Sequence, residues 1–256
     1  MALRRLFLDI ETAPNIAYVW QAWKQNIAPK MFIENSNIMC YAAKWYGHDH
    51  IYSNNTYAMS ELEMLRNLSS LISMADIVIT HNGKAFDIPI IRNRCVYYGL
   101  PPFSPIKHVD TLLVAKRLFR FELNKLEYIA KYLGVALKSE HKAFPGFDLW
   151  KECLNDNPKA WEEMVAYNKQ DVITLEGVYE KLLPWMDDHP NILLDANGPA
   201  ACPKCGGSVQ RRGTYFTSVS RYQRYRCNSC GGWSRSRYSE IKKEEGIKIL
   251  ANAVVG

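Results

Sequence analysis

The chain has 256 residues, of which 48% are hydrophobic and 23% charged, with a formal net charge of +6. This is an ordinary globular composition, long enough for one α/β domain of about 185 residues and a small satellite, and no apolar run approaches the length of a membrane span. The charge is uneven: residues 200–256 hold 11 basic and 3 acidic side chains, a net of +8, which leaves −2 for the rest of the chain.

The segment Leu6-Phe7-Leu8-Asp9-Ile10-Glu11-Thr12 reads as a strand. Strand side chains alternate, so Leu6, Leu8 and Ile10 share one face while Phe7, Asp9 and Glu11 share the other. Carboxylates at i and i+2 have Cα atoms roughly 6–7 Å apart, a separation that suits two ligands of one metal cluster. For Asp-x-Glu standing alone, a solvated strand end is the alternative. Asp9 and Glu11 also interrupt the early apolar run, so no secretory signal is expected. His48 and His50 either bind a metal or flank a hairpin turn. Ser60-Glu61-Leu62-Glu63 forms a capping box that opens a helix to about Met74.

A short apolar run, Asp76-Ile77-Val78-Ile79-Thr80, predicts a buried parallel strand. His81-Asn82-Gly83 breaks it, and Phe86-Asp87-Ile88-Pro89 opens a helix carrying Ile90, Ile91 and Cys95. Asp87 thus lies at a strand-to-helix junction, where open α/β sheets place their sites. A first-turn acid favoured by the helix dipole is the other reading. Asn124–Leu133 reads as a further helix, ended by Gly134. Farther on, Trp161, Met164, Val165, Asn168, Val172, Leu175, Tyr179 and Leu182 form one stripe at helical spacing. Asp171 falls on its margin with Tyr167 one turn earlier, while Glu162, Glu163 and Glu180 point away. An acid at the edge of a buried face needs a partner; a solvated Asp beside a core Tyr is the alternative.

In order, residue type and context, Asp9-x-Glu11, Asp87 and Tyr167-x-x-x-Asp171 together resemble the DEDD superfamily of 3′–5′ exonucleases. The spacing of Tyr167 and Asp171 matches the tyrosine branch, which contains the proofreading domains of DNA polymerases; the histidine branch would need His where this chain has Ala166. The resemblance covers about residues 3–185, including Asp110-Thr111-Leu112 and Asn124-Lys125-Leu126. Within the branch, the chain looks most like stand-alone exonucleases similar to family B polymerase proofreading domains. The resemblance implies a ribonuclease H-like α/β fold with a mixed sheet and flanking helices, and two catalytic Mg²⁺ or Mn²⁺ ions. It implies that Asp9 bridges both ions, that Glu11 and Asp171 hold one, and that Asp87 supports the other. Tyr167 would orient the attacking water. Asn82 and Phe86 would meet the terminal nucleotide, Phe86 by stacking; core packing is the other reading of Phe86.

Past Pro184 the composition changes. Pro184, Pro190, Gly198 and Pro199 stop the helices, and Asp187, Asp188 and Asp195 keep the connecting chain wet. Cys202-Pro203-Lys204-Cys205-Gly206-Gly207 and Cys227-Asn228-Ser229-Cys230-Gly231-Gly232 are two knuckles with the spacing of a structural zinc site. Two disulfides would be the alternative in an oxidising compartment. Between the knuckles, Gly213–Val219 and Tyr222–Arg226 read as two short strands. Arg211, Arg212, Arg221, Arg224 and Arg226 alternate with aromatic residues, a combination suited to single-stranded nucleic acid. A ribbon kept soluble by arginines, or one that docks an acidic protein, is the alternative. Cys40, Cys95 and Cys153 read as buried free thiols of a reducing cytoplasm.

The expectation is therefore a metal-dependent 3′–5′ exonuclease domain over residues 1–185, a linker over 186–199, a four-cysteine zinc ribbon over 200–240 and a tail over 241–256. Its substrate would be single-stranded DNA or 3′ ends, with RNA as the alternative, and no membrane is involved. A non-catalytic nucleic-acid-binding adaptor, or a ribbon that recruits a replication or repair protein, is the reading from another class.

Overall fold

The structure is a computed structural model that describes residues 3–21, 23, 26–135, 143–194 and 200–252. Its chain divides into two compact units, Arg4–Tyr179 and Glu180 onward.

The first unit is built on a five-stranded mixed sheet. Strand β1 (Arg5–Thr12) runs antiparallel to β4 (Ile38–Trp45), which pairs antiparallel with β5 (Ile51–Asn55). On its other edge β1 runs parallel to β6 (Ile77–Thr80), and β6 runs parallel to β7 (Lys107–Asp110). A small antiparallel pair, β2 (Ile16–Ala17) and β3 (Phe32–Glu34), leaves the end of β1. The sheet order is β5-β4-β1-β6-β7, so β1 is central. The helices are α1 (Glu61–Ser73), α2 (Asp87–Tyr97), α3 (Thr111–Leu118), α4 (Leu126–Tyr132), α5 (Asp148–Leu154) and α6 (Pro158–Leu182).

The alternation read along β1 is what assembles this unit. Leu6, Leu8 and Ile10 join a core with Met64, Leu68 and Ile91 of α1 and α2, each such buried side chain contributing about 1.5–3 kcal/mol. Phe7, on the opposite face, meets Tyr179 of α6 edge-on at 5.3 Å. Helix α1 begins at the expected capping box, with the Glu63 N–H donating to Ser60 Oγ at 3.3 Å and the Ser60 N–H to Glu63 Oε2 at 3.2 Å. Helix α4 starts at Leu126, two residues later than the pattern suggests, with Lys125 as an extended cap. Along α6 the buried residues include Trp161, Met164, Asn168, Val172, Leu175 and Tyr179 from the expected stripe, and also Thr174 and Val178, which the stripe omits. Glu163, expected to point outward, has a buried Oε1. His48 and His50 lie in the turn joining β4 to β5, with the His48 N–H donating to Trp45 O. Cys40, Cys95 and Cys153 are buried and free.

The second unit holds a three-stranded antiparallel sheet, β8 (Val209–Phe216), β9 (Arg221–Cys227) and β10 (Trp233–Arg235), in the order β10-β9-β8. The first strand starts earlier than expected, Thr217–Ser220 forms the hairpin turn rather than strand, and β10 is an addition to the two expected strands. A four-residue helix, α7 (Lys243–Gly246), follows. The segment expected as a wet linker is tied down over its first part. The Ile192 N–H donates to Pro203 O at 2.9 Å and Lys204 Nζ to Pro184 O at 2.7 Å, while Met186 and Ile192 are buried. Asp195, Gly198 and Pro199 lie outside the described residues. Among the described residues, no helix is long and apolar enough to cross a membrane.

Candidate metal centres

Three elements bring the acids of the first unit together. Strand β1 presents Asp9 and Glu11 on the face toward α6, and α6 supplies Asp171, so that one carboxylate oxygen of each lies within 4.8 Å of the others. Helix α2 delivers Asp87 as its first residue, after Phe86 as cap. Ladder pairing of β1 with β6 ends at Phe7↔Ile79. Asp87 Oδ1 therefore accepts the Ile10 N–H, at 3.2 Å, on a stretch of β1 that β6 does not cover. The Tyr167 hydroxyl hydrogen-bonds Asp171 one turn later on α6, and its ring lies edge-on to Trp150 at 6.4 Å.

Crowding and burial make these acids hard to ionise. Burial, then the charges of Asp87, Glu11 and Asp171, hold the Asp9 carboxyl well above the usual range, against the hydrogen bond from Asn168. Burial with the charges of Asp171 and Asp87 pushes Glu11 up to about 8. Burial raises Asp87 to about 7 despite backbone N–H donors, and Asp171 to about 6 despite the bond from Tyr167. Tyr167 itself is driven upward by burial and the same carboxylates, and so stays protonated. Among the described residues, no Lys or Arg forms an ion pair with any of the four acids. Uncompensated oxygen donors at this density fit a hard divalent cation and little else.

Asn168, a residue the motifs do not flag, completes the arrangement. Its Nδ2 donates to Asp9 Oδ2 at 2.7 Å, and its buried Oδ1 has no partner. A polar residue in the middle of an apolar helical stripe is the signal available for it. Asp110 is likewise structural to the site. It accepts the N–H groups of Asn82 (2.9 Å) and Lys84 (3.0 Å) and caps α3 through Leu112 (3.0 Å). The loop after β6 is shaped by Asn82, in the left-handed region at φ 72°, and by Gly83, whose hypothetical Cβ would lie 2.4 Å from Thr80 Oγ1. Asn82 is exposed, and Phe86 is 40% exposed rather than in the core. A cavity of about 310 Å³ lined by Thr12, Ala13, Pro14, Phe147 and Trp150 opens just beyond Glu11 in the chain.

In the second unit, Cys202, Cys205, Cys227 and Cys230 converge with all four sulfurs within 4.8 Å of one another. Cys202 Sγ stands 3.8 Å from Cys230 Sγ, and Cys205 Sγ stands 3.5 Å from Cys227 Sγ. Tetrahedral zinc with bonds of about 2.3 Å separates its sulfurs by about 3.8 Å, whereas disulfide sulfurs stand at about 2.05 Å, so the cluster is compatible with a zinc ribbon. Gly206 and Gly231, at φ 78° and 75°, turn the chain after each cysteine pair. The N–H groups of Gly207, Ser229 and Gly232 then reach Cys205, Cys227 and Cys230 sulfurs at 3.4 Å. Such donors favour thiolates. Burial opposes them at Cys227, but the N–H groups of Cys230 and Ser229 prevail and lower it to about 7, whereas at Cys205 and Cys230 burial prevails over the glycine N–H groups and raises the thiols, Cys230 to about 12.

The five expected nucleic-acid arginines do not share a surface. Strand alternation along β9 puts Arg221 on one face and Arg224 and Arg226 on the other, and the β8 register places Arg211 beside Tyr225 on the Arg221 face. Arg212 lies at the β8 bulge, its guanidinium donating to Gln210.

Residues 6–183 match the RNase H superfamily, so the chain belongs to that superfamily. It is 28% identical over 128 residues to DNA polymerase 1 of Aeropyrum pernix, an alignment covering 46% of this chain and 13% of the polymerase. The family B DNA polymerase of the hyperthermophilic archaeon Pyrobaculum calidifontis superposes with a TM-score of 0.55 at 19% identity, over 72% of this chain and 25% of that one. The chain thus spans a quarter or less of these polymerases. Family and acidic cluster together suggest nuclease activity on nucleic acid.

Proposed function

We propose that the protein is a metal-dependent 3′–5′ exonuclease of the tyrosine branch of the DEDD superfamily, removing nucleotides from single-stranded DNA. The observation that carries this reading is the convergence of Asp9, Glu11 and Asp171 within 4.8 Å, with Tyr167 bonded to Asp171 and Asp87 on the adjoining β1 backbone. The nuclease domain is assigned to residues 1–185, with a zinc ribbon over 200–240 whose Zn²⁺ is held by Cys202, Cys205, Cys227 and Cys230. Asp9, Glu11, Asp87 and Asp171 would hold two Mg²⁺ or Mn²⁺ ions. Bound there, such ions supply Lewis-acid stabilisation of the attacking and leaving oxygens of an in-line displacement at phosphorus.

The chain's own residues position the reactants. Asp9 feels the charges of Asp87, Glu11 and Asp171 and accepts a hydrogen bond from the amide of Asn168. Glu11 and Asp171 each bring a carboxylate oxygen within 4.8 Å of the other and of Asp9, and Asp87 is fixed by the Ile10 N–H. Tyr167 keeps its proton, so its hydroxyl orients water by hydrogen bonding and is not the base. Asn82 and Phe86, exposed on the loop before α2, are assigned to the terminal nucleotide. The open, mainly apolar depression beside Thr12 and Trp150 gives a flat ring a surface to lie against.

The assay is hydrolysis of 3′- and 5′-labelled DNA and RNA oligonucleotides with Mg²⁺ or Mn²⁺. A ladder shortening from the 3′ end of DNA is expected. Faster loss of RNA would make the protein an exoribonuclease, and binding without turnover would make it an adaptor.

A further inference from the structure

We propose that one face of the ribbon sheet is a track for single-stranded nucleic acid, with Arg224, Arg226 and Arg235 on the phosphates and Tyr215 and Trp233 under the bases. This inference rests on the nucleic-acid reading above and deepens it by naming the surface.

Strand pairing sorts the side chains. Tyr222, Arg224 and Arg226 alternate onto one face of β9, and the registers Tyr215↔Tyr222, Arg235↔Arg224 and Trp233↔Arg226 add their partners to that face. The guanidiniums then lie on the rings: Arg235 is 4.1 Å from the centroid of Tyr222, and Arg224 is 4.8 Å from that of Trp233. Trp233 is still 49% exposed and Tyr215 46% exposed. At one end of the row a polar cavity of about 490 Å³, bordered by Cys227 and Cys230, carries the donors Arg212, Arg226 and Asn228.

Charge distinguishes the two faces. On the opposite face Arg221 pairs with Glu240 at 3.5 Å, and Arg211 donates to Gln223 Oε1 at 2.9 Å. Among the described residues no carboxylate pairs with Arg212, Arg224, Arg226 or Arg235. Arg224, Arg226 and Arg235, three cations without a carboxylate partner, therefore share one face with Tyr215, Tyr222 and Trp233, whereas the opposite face has Arg221 paired with Glu240 and Arg211 bonded to Gln223. Same-face residues of a strand stand roughly 7 Å apart, close to the phosphate spacing of an extended single strand. An acidic peptide would answer the charge but would leave the flat aromatic surfaces unused. Rings already stacked under guanidiniums lose little further freedom on binding.

The test is fluorescence anisotropy of a labelled single-stranded oligodeoxynucleotide with the full-length, zinc-loaded protein, over a salt series without Mg²⁺ or Mn²⁺. Combined Tyr215→Leu and Trp233→Leu should weaken binding at least about tenfold at every salt concentration, leaving the slope unchanged. Arg224→Gln, Arg226→Gln and Arg235→Gln together should flatten the slope of log K against log salt by about 2. Arg211→Gln with Arg221→Gln should change neither. Equal effects from the two faces, or full affinity in the ring variant, would overturn the proposal. So would competition by polyglutamate as effective as that by an unlabelled oligonucleotide. Zinc content is read alongside. If the glutamine triple loses zinc, the ring variant and an Arg→Lys triple, which should keep the salt slope, decide in its place. Cleavage of a short 3′-labelled oligonucleotide with Mn²⁺ tests the nuclease reading separately, because the acids it needs all precede residue 172. Cleavage with face-blind binding sinks the track alone; face-sorted binding without cleavage sinks the exonuclease alone.

Discussion

Replacing Asp171 with Asn separates the electrostatic account of the site from a purely structural one. Asn keeps the size and shape of Asp but never ionises. In the metal-free protein the Asp171 carboxyl is raised from its ordinary 3.8 to about 6, chiefly by burial. It therefore binds its proton more tightly when folded than when unfolded, and stability falls as the pH rises from about 4 through about 6. At 1.36 kcal/mol per pH unit, the ionised wild-type fold bears a cost of about 3 kcal/mol that the variant escapes. At pH 8 without Mg²⁺ or Mn²⁺, Asp171→Asn should be the more stable protein by about this amount, or about 6–12 °C in melting temperature. At pH 4 the two should coincide. Adding Mg²⁺ should reverse the order, since a ligand at about a thousand times its Kd stabilises the wild type by about 4.1 kcal/mol and the variant holds it poorly. Native-state hydrogen exchange of the Leu8 and Ile10 amides on β1 reads the first unit alone, with the ribbon cysteines left loaded. A variant no more stable than wild type at pH 8, or equal stabilisation of both proteins by Mg²⁺, would refute the metal site.

Asp9→Ala should abolish hydrolysis while circular dichroism stays native, because removing one acid from a crowded set relieves repulsion. Tyr167→Phe should slow turnover by about a hundredfold with Mn²⁺ affinity nearly unchanged, measured by calorimetric titration; a fall in affinity matching that of Asp171→Asn would make Tyr167 structural. Gly83→Ala drives a methyl into Thr80 Oγ1 at 2.4 Å; overpacking of this kind costs about 1–3 kcal/mol, and urea denaturation should show it. Stripping the cysteine-bound metal should collapse β8–β10, because the module has little core of its own. Selective loss of the amide dispersion of residues 209–235 in a nitrogen-15 spectrum would show that collapse.

Much of the site was legible in the chain because its signals are local and periodic. Period two along β1 sends Asp9 and Glu11 together to one side, and period 3.6 along α6 places Tyr167 and Asp171 one turn apart. The knuckle spacing of Cys202–Cys205 and Cys227–Cys230 is likewise a property of short loops. Tertiary structure decided what depends on register between distant segments. Asn168 reaches Asp9 across 159 positions, and nothing in its neighbourhood on α6 says that a carboxylate will face it. Asp110 becomes the holder of the Asn82 loop only when β7 pairs with β6. The arginines read as one basic cluster, but the β8–β9 pairing and its bulge divide them between a face where Glu240 pairs with Arg221 and a face where Arg224 and Arg226 have no carboxylate partner. Local pattern sets which way each side chain points along its own element; which elements meet, and at what offset, is settled by burying every apolar face at once while leaving no backbone donor unpaired.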